Sequence, residues 1–96
     1  MGSVTTITLI GKDGCHLCDV ARGVVEHVLA EMPEDAADRV EVIEQSILED
    51  DALYAQWWEK IPVVLIDGQV HAHWRVAPER LREAVMTAAG VEGAAW

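Results

Sequence analysis

Thr5-Thr6-Ile7-Thr8-Leu9-Ile10-Gly11-Lys12-Asp13-Gly14-Cys15-His16-Leu17-Cys18 is the stretch whose reading decides the fold. Thr5 to Ile10 alternates and is rich in β-branched side chains, so it reads as a strand that stops at Gly11. Lys12-Asp13-Gly14 is a turn. From Cys15 onward Leu17, Val20, Ala21, Val24 and Val28 fall at helical spacing, and proline ends that helix near Met32-Pro33. Gly23 weakens it by up to about 1 kcal/mol. The two cysteines of the chain therefore sit one turn apart at a helix start, close enough for a disulfide, whose Cα atoms lie roughly 4.4 to 6.8 Å apart. Free backbone N–H groups and the helix dipole favour a thiolate there, and such sites lower a cysteine pKa from about 8.5 to about 3.5–7.5. A redox centre, with Cys15 as nucleophile, is the reading.

Beyond the first helix a polar connection covers Glu34 to Asp38, and Arg39-Val40-Glu41-Val42-Ile43 is a second short strand. Strand, helix, strand implies a right-handed crossover and two parallel neighbours. The run from Asp50 to Trp57 reads as a short helix whose acidic residues suit its N-terminus, ending before Ile61-Pro62. Val63-Val64-Leu65-Ile66 and Gln69-Val70-His71-Ala72-His73 flank Asp67-Gly68, a favoured two-residue type I′ hairpin turn. Pro78 opens a last helix with Leu81, Ala84, Val85 and Ala88 on one side.

Half of the 96 residues are apolar, which suits one domain over 1–96, with 1–4 and 91–96 expected as flexible ends. No leader and no apolar run near the ~18 residues of a membrane span is seen, so a soluble, cytoplasmic monomer is expected. In a reducing compartment a lone cysteine pair is catalytic or metal-binding rather than structural. Seventeen acidic against seven basic side chains give a net charge of −10, which repels polyanions and argues against nucleic acid. The acidic residues are scattered and read as solvated surface and helix starts.

The element order, with Cys-x-x-Cys at the first helix start and Ile-Pro opening the third strand, resembles the thioredoxin fold in its minimal, glutaredoxin-like form. The resemblance spans roughly Thr5 to Ala89. It implies an α/β fold with a four-stranded mixed sheet ordered 2-1-3-4, three helices, and a cis peptide between Ile61 and Pro62. It implies that Pro62 lies beside Cys15, with His73 to Arg75 at the same edge. It further implies a thiol-disulfide oxidoreductase in which Cys15 attacks a protein disulfide or a low-molecular-weight-thiol mixed disulfide and Cys18 resolves it. No bound metal or organic cofactor is expected, and a thiol such as glutathione is the co-substrate.

The substrate-binding candidates are Lys12, His16, Ile61, Pro62 and Arg75. Lys12 matches a position often basic in glutaredoxins and favours the thiolate or a substrate carboxylate. His16 stands where many glutaredoxins have proline, and a protonated imidazole there stabilises the thiolate, while Asp13 and Asp19 push the other way. Ile61 and Pro62 offer backbone to an extended substrate. Arg75 is a carboxylate anchor, needed because this chain departs from the family after its fourth strand. The usual Gly-Gly is replaced by His73-Trp74-Arg75, and Pro78 lacks the N–H that would hold a carboxylate at the last helix. Trp57 and Trp58 point about 100° apart on a helix, so at most one belongs to the core.

Two alternatives stand beside this reading. Cys15, Cys18, His71 and His73 supply the four N/S ligands of a structural zinc, and His-x-His on a strand points both rings to one face. A redox-inert thioredoxin-fold binding module would keep the dithiol and use only the groove. A c-type haem is excluded by order, since Asp19 follows Cys18.

Overall fold

The computed structural model describes residues 4–89; apart from Val4, the ends expected to be flexible lie outside them. The chain runs β1 (Thr5–Gly11), α1 (His16–Glu31), α2 (Glu34–Ala37), β2 (Val40–Ser46), α3 (Asp51–Trp57), β3 (Val63–Ile66), β4 (Gln69–His73) and α4 (Pro78–Ala88). The strands form one sheet ordered β2-β1-β3-β4. β1 pairs parallel with β2 and antiparallel with β3, which pairs antiparallel with β4. The expected α/β architecture is thus observed, with one addition to the three expected helices. The polar connection after Pro33 holds a single helical turn, α2, whose Ala36 is buried against the core.

Local chemistry explains the boundaries. Cys15 caps α1 and Asp50 caps α3, the latter accepting the N–H groups of Ala52 at 2.8 Å and Leu53 at 3.3 Å. Pro78 takes the first turn of α4, where its missing N–H costs nothing. Asp67 and Gly68 both have positive φ, 51° and 85°, as a type I′ turn requires. The Asp67 carboxylate also accepts the N–H of Thr6. β2 runs three residues past its expected end because Glu44, Gln45 and Ser46 continue the ladder against Leu9, Ile10 and Gly11. An edge strand tolerates polar side chains, so its apolar pattern understates its length.

The sheet is covered unequally. On one face α1 and α4 enclose Ile7, Leu9, Val64, Leu81 and Val85, each fully buried aliphatic side chain contributing about 1.5–3 kcal/mol. On the other, α3 alone covers Ile10, Ile47 and Val63 with Trp57. The buried face of α1 is Cys18, Ala21, Val25 and Val28, rotated from the expected stripe, and Leu17 and Val20 are exposed. Packing against the sheet turns Cys18, not Leu17, to the buried side.

Candidate active site

The ends of three strands meet at one edge of the sheet. Ile10 near the end of β1 pairs with Val63 at the start of β3, which pairs with His73 at the end of β4. Pro62 and Trp74 therefore lie at the edge where β1 hands over to the cysteine turn.

Cys15 is half-buried, and its Sγ accepts the backbone N–H of Cys18 at 3.2 Å. The two cysteines form a disulfide with Cα atoms 5.2 Å apart. Cys18 is only 2% exposed. It rests on Gly11, where an added Cβ would stand 2.8 Å from the Cys18 sulfur and 3.1 Å from its Cβ. Gly11 thus does more than end the strand: it leaves room for the buried cysteine. A glycine one residue beyond an apolar run was the visible signal, but only the packing shows what fills the space.

The substrate-binding candidates divide into two flanks. On the β2 side a cleft of about 200 Å³ is lined by Gly11, Lys12, Cys18, Arg22, Glu44 and Glu49, among others. There Arg22 donates to Glu44 at 2.9 and 3.0 Å and to Asp19 at 3.0 Å. Hydrogen bonding and charge from Glu44, then Asp19, hold its guanidinium above its ordinary pKa. On the β4 side lie Ile61, Pro62 and Arg75. The Ile61–Pro62 peptide is cis, Pro62 is fully buried and Ile61 half-buried, so the Pro62 side chain is closed to solvent. Lys12 and Arg75 stand on opposite flanks, both exposed. His16 is exposed at the first position of α1.

The β4 flank is tied together by a residue that sequence reasoning did not single out. Trp74 donates its backbone N–H to the Pro62 carbonyl and its indole N–H to the Glu59 carbonyl, both at 2.8 Å. No pattern announces such a clasp, since it joins residues distant in sequence. Trp57 and Trp58 part as their spacing requires, 9% and 51% exposed.

The four proposed zinc ligands are not brought together. β3 and β4 pair Val64 with Ala72 but Leu65 with Val70, a bulge that leaves His71 without a partner and breaks the alternation. His71 lines a cleft with Arg80, Glu83 and Ala84 of α4, and burial, then the Arg80 charge, lower its pKa. His73 instead meets Trp74 edge-on, with ring centroids 4.6 Å apart. Among the described residues no three His, Cys, Asp or Glu side chains converge as a metal site, and no helix is long and apolar enough to cross a membrane.

Comparison with known proteins agrees with this geometry. The uncharacterized protein Rv0508 of Mycobacterium tuberculosis is 28% identical over 76 residues, which are 79% of this chain and 77% of that one. Among solved structures, the Xanthomonas target XcR50 (X. campestris) superposes with a TM-score of 0.64 at 23% identity, covering 84% of this chain and 96% of its own. A mutant thioredoxin from Halobacterium salinarum NRC-1 gives 0.64 at 20% identity, covering 91% and 76%. These likenesses establish a thioredoxin fold. Since the model of one family in that fold, the glutaredoxin-like domain (DUF836), matches residues 6–86, the chain belongs to that family.

Proposed function

We propose that this protein is a thiol-disulfide oxidoreductase working through Cys15 and Cys18. The observation that carries the reading is the placing of Cys15 as the cap of α1, its sulfur accepting a helix N–H, with Cys18 buried one turn inside. In the reduced protein the same N–H and the helix dipole favour a thiolate at Cys15. That thiolate attacks one sulfur of a substrate disulfide, forming a mixed disulfide and releasing the other sulfur as a thiolate. Cys18, deprotonated, then attacks the Cys15 sulfur and expels the second substrate thiol. Two electrons pass from the dithiol to the substrate, and the Cys15–Cys18 disulfide remains. Returning it to the dithiol consumes an external dithiol or two equivalents of a monothiol of the glutathione class.

Protein disulfides are the favoured substrates. With Lys12 and Arg75 on opposite flanks and proline at the start of α4, a small thiol's carboxylate meets no converged anchor. A cytoplasmic setting and a monomeric state belong to the same reading. It is tested by alkylating the reduced protein at neutral pH and mapping the product, and by mixing Cys18→Ser with a peptide disulfide. Cys15 is expected to be modified first and Cys18→Ser to accumulate a mixed disulfide at Cys15. Preferential modification of Cys18, or no mixed disulfide, would overturn the assigned roles.

A further inference from the structure

Trp74 carries a left-handed backbone, φ 67°, which a bulky residue adopts only where its surroundings over-determine it. The two carbonyls it binds, Glu59 and Pro62, bracket Lys60 and Ile61. The Lys60 N–H turns back to the Trp57 carbonyl at 2.8 Å, whereas the main-chain N–H and C=O of Ile61 take no hydrogen bond among the described residues. One strained residue thus holds open an unpaired stretch of backbone beside the redox edge. The residue is 54% exposed. Trp58, one residue before Glu59, is also exposed and stacks on Tyr54 with centroids 6.2 Å apart. Contiguous exposed apolar surface marks binding sites. Arg75 is exposed at this edge without an ion pair among the described residues, and exposed Lys60 nearby sets its Nζ 6.0 Å from the Trp57 ring centroid, on a chain of net charge −10. A local cationic rim on an acidic protein fits an acidic partner.

We propose that Trp74 selects the substrate: an extended, acidic peptide disulfide with an apolar residue beside its half-cystine. The inference rests on the oxidoreductase reading above, and its exchange is the same two-electron transfer. The peptide pairs with Ile61 as a short added strand. Its apolar side chain lies on the Trp74 ring, and its carboxylate meets Lys60 or Arg75. A small mixed disulfide has no strand to offer and no reach to the ring.

The test uses the full chain, reduced, as wild type, Trp74→Gly and Trp74→Phe. Its substrates are a peptide disulfide with leucine and glutamate flanking the half-cystine, a twin with serine and lysine in their place, and bis(2-hydroxyethyl) disulfide. Glycine adopts the backbone of Trp74 without strain but lacks the ring, and phenylalanine restores a ring without the indole N–H. For the leucine–glutamate peptide, Trp74→Gly is expected to lose roughly tenfold in kcat/KM, through KM, the ratio of peptide to small-disulfide rates to fall with it, and Trp74→Phe to recover most of the loss. Wild type is expected to prefer that peptide to its twin. An unchanged ratio of peptide to small-disulfide rates in Trp74→Gly overturns the inference while leaving the oxidoreductase reading intact. A wild type inactive on all three substrates overturns both. If Trp74→Gly does not fold, the wild-type preference decides alone, and equal rates on the two peptides reject the proposal.

Discussion

The two flanks of the dithiol are built on different principles. On the β2 side, behind Cys18, charged groups satisfy one another: Arg22 binds Glu44 and Asp19 in the open, above a glycine that admits the buried sulfur. On the β4 side the loop before β3 is held by backbone, through a left-handed tryptophan and its two hydrogen bonds to loop carbonyls. Exposed ion pairs are screened and contribute little, so the β2 flank works mainly by shape. The β4 flank fixes Trp74 against its local preference and leaves the Ile61 main chain without a partner among the described residues.

The largest effect should come from filling the space under Cys18. Gly11→Ala places a methyl group 2.8 Å from the Cys18 sulfur, and overpacking of that kind costs about 1–3 kcal/mol. Because the disulfide pins that sulfur, the loss should be greater in oxidised than in reduced protein, as urea unfolding of both forms would show. Equal stability of the variant and wild type would mean that the β2 flank is not a shape constraint. A smaller effect should follow from Asp50→Ala, which removes the cap of α3 and with it support for Trp57 and the loop leading to Pro62. About 1 kcal/mol of stability is expected to go. If the cap also serves the β4 flank, peptide reduction falls at temperatures where the variant is still folded; unchanged turnover would separate the helix from the flank it leads into.

The smallest effect concerns His71, which lies in β4 but away from both flanks. Its pKa is lowered in the folded protein by burial and by Arg80, so the unfolded chain takes up the proton first. Stability from this residue is complete above the ordinary histidine value of about 6.5. It is lost as the pH falls from there through the lowered folded value. Wild type should therefore lose more stability between about pH 7 and pH 5 than His71→Gln does. Parallel pH profiles of the two proteins would show that the bulge leaves His71 as free to ionise as in the unfolded chain.

Much of the fold was legible because local chemistry and the tertiary result agree. The strand ending at Gly11, the Asp67-Gly68 turn, the Asp50 cap and Pro78 at the start of α4 all lie where short-range preference puts them. The readings that moved depended on long-range context. The phase of α1 moved because the buried stripe runs through Cys18 and Val25 rather than Leu17 and Val24, and β2 outran its apolar residues because its partner strand continued. His71 and His73 were expected on one face, and a bulge seen only in the paired strands separated them.

The residues alone determined that a thiol pair would stand at a helix N-terminus after a strand, because spacing, capping and periodicity are properties of adjacent residues. Only the tertiary structure decided that Cys18 is buried over Gly11, that Lys12 and Arg75 face different flanks, and that Trp74 clasps the loop before Pro62. Each of these joins segments far apart along the chain. Their energies come from close approach and from backbone conformations that no residue prefers by itself, so they exist only once the sheet has brought the segments together.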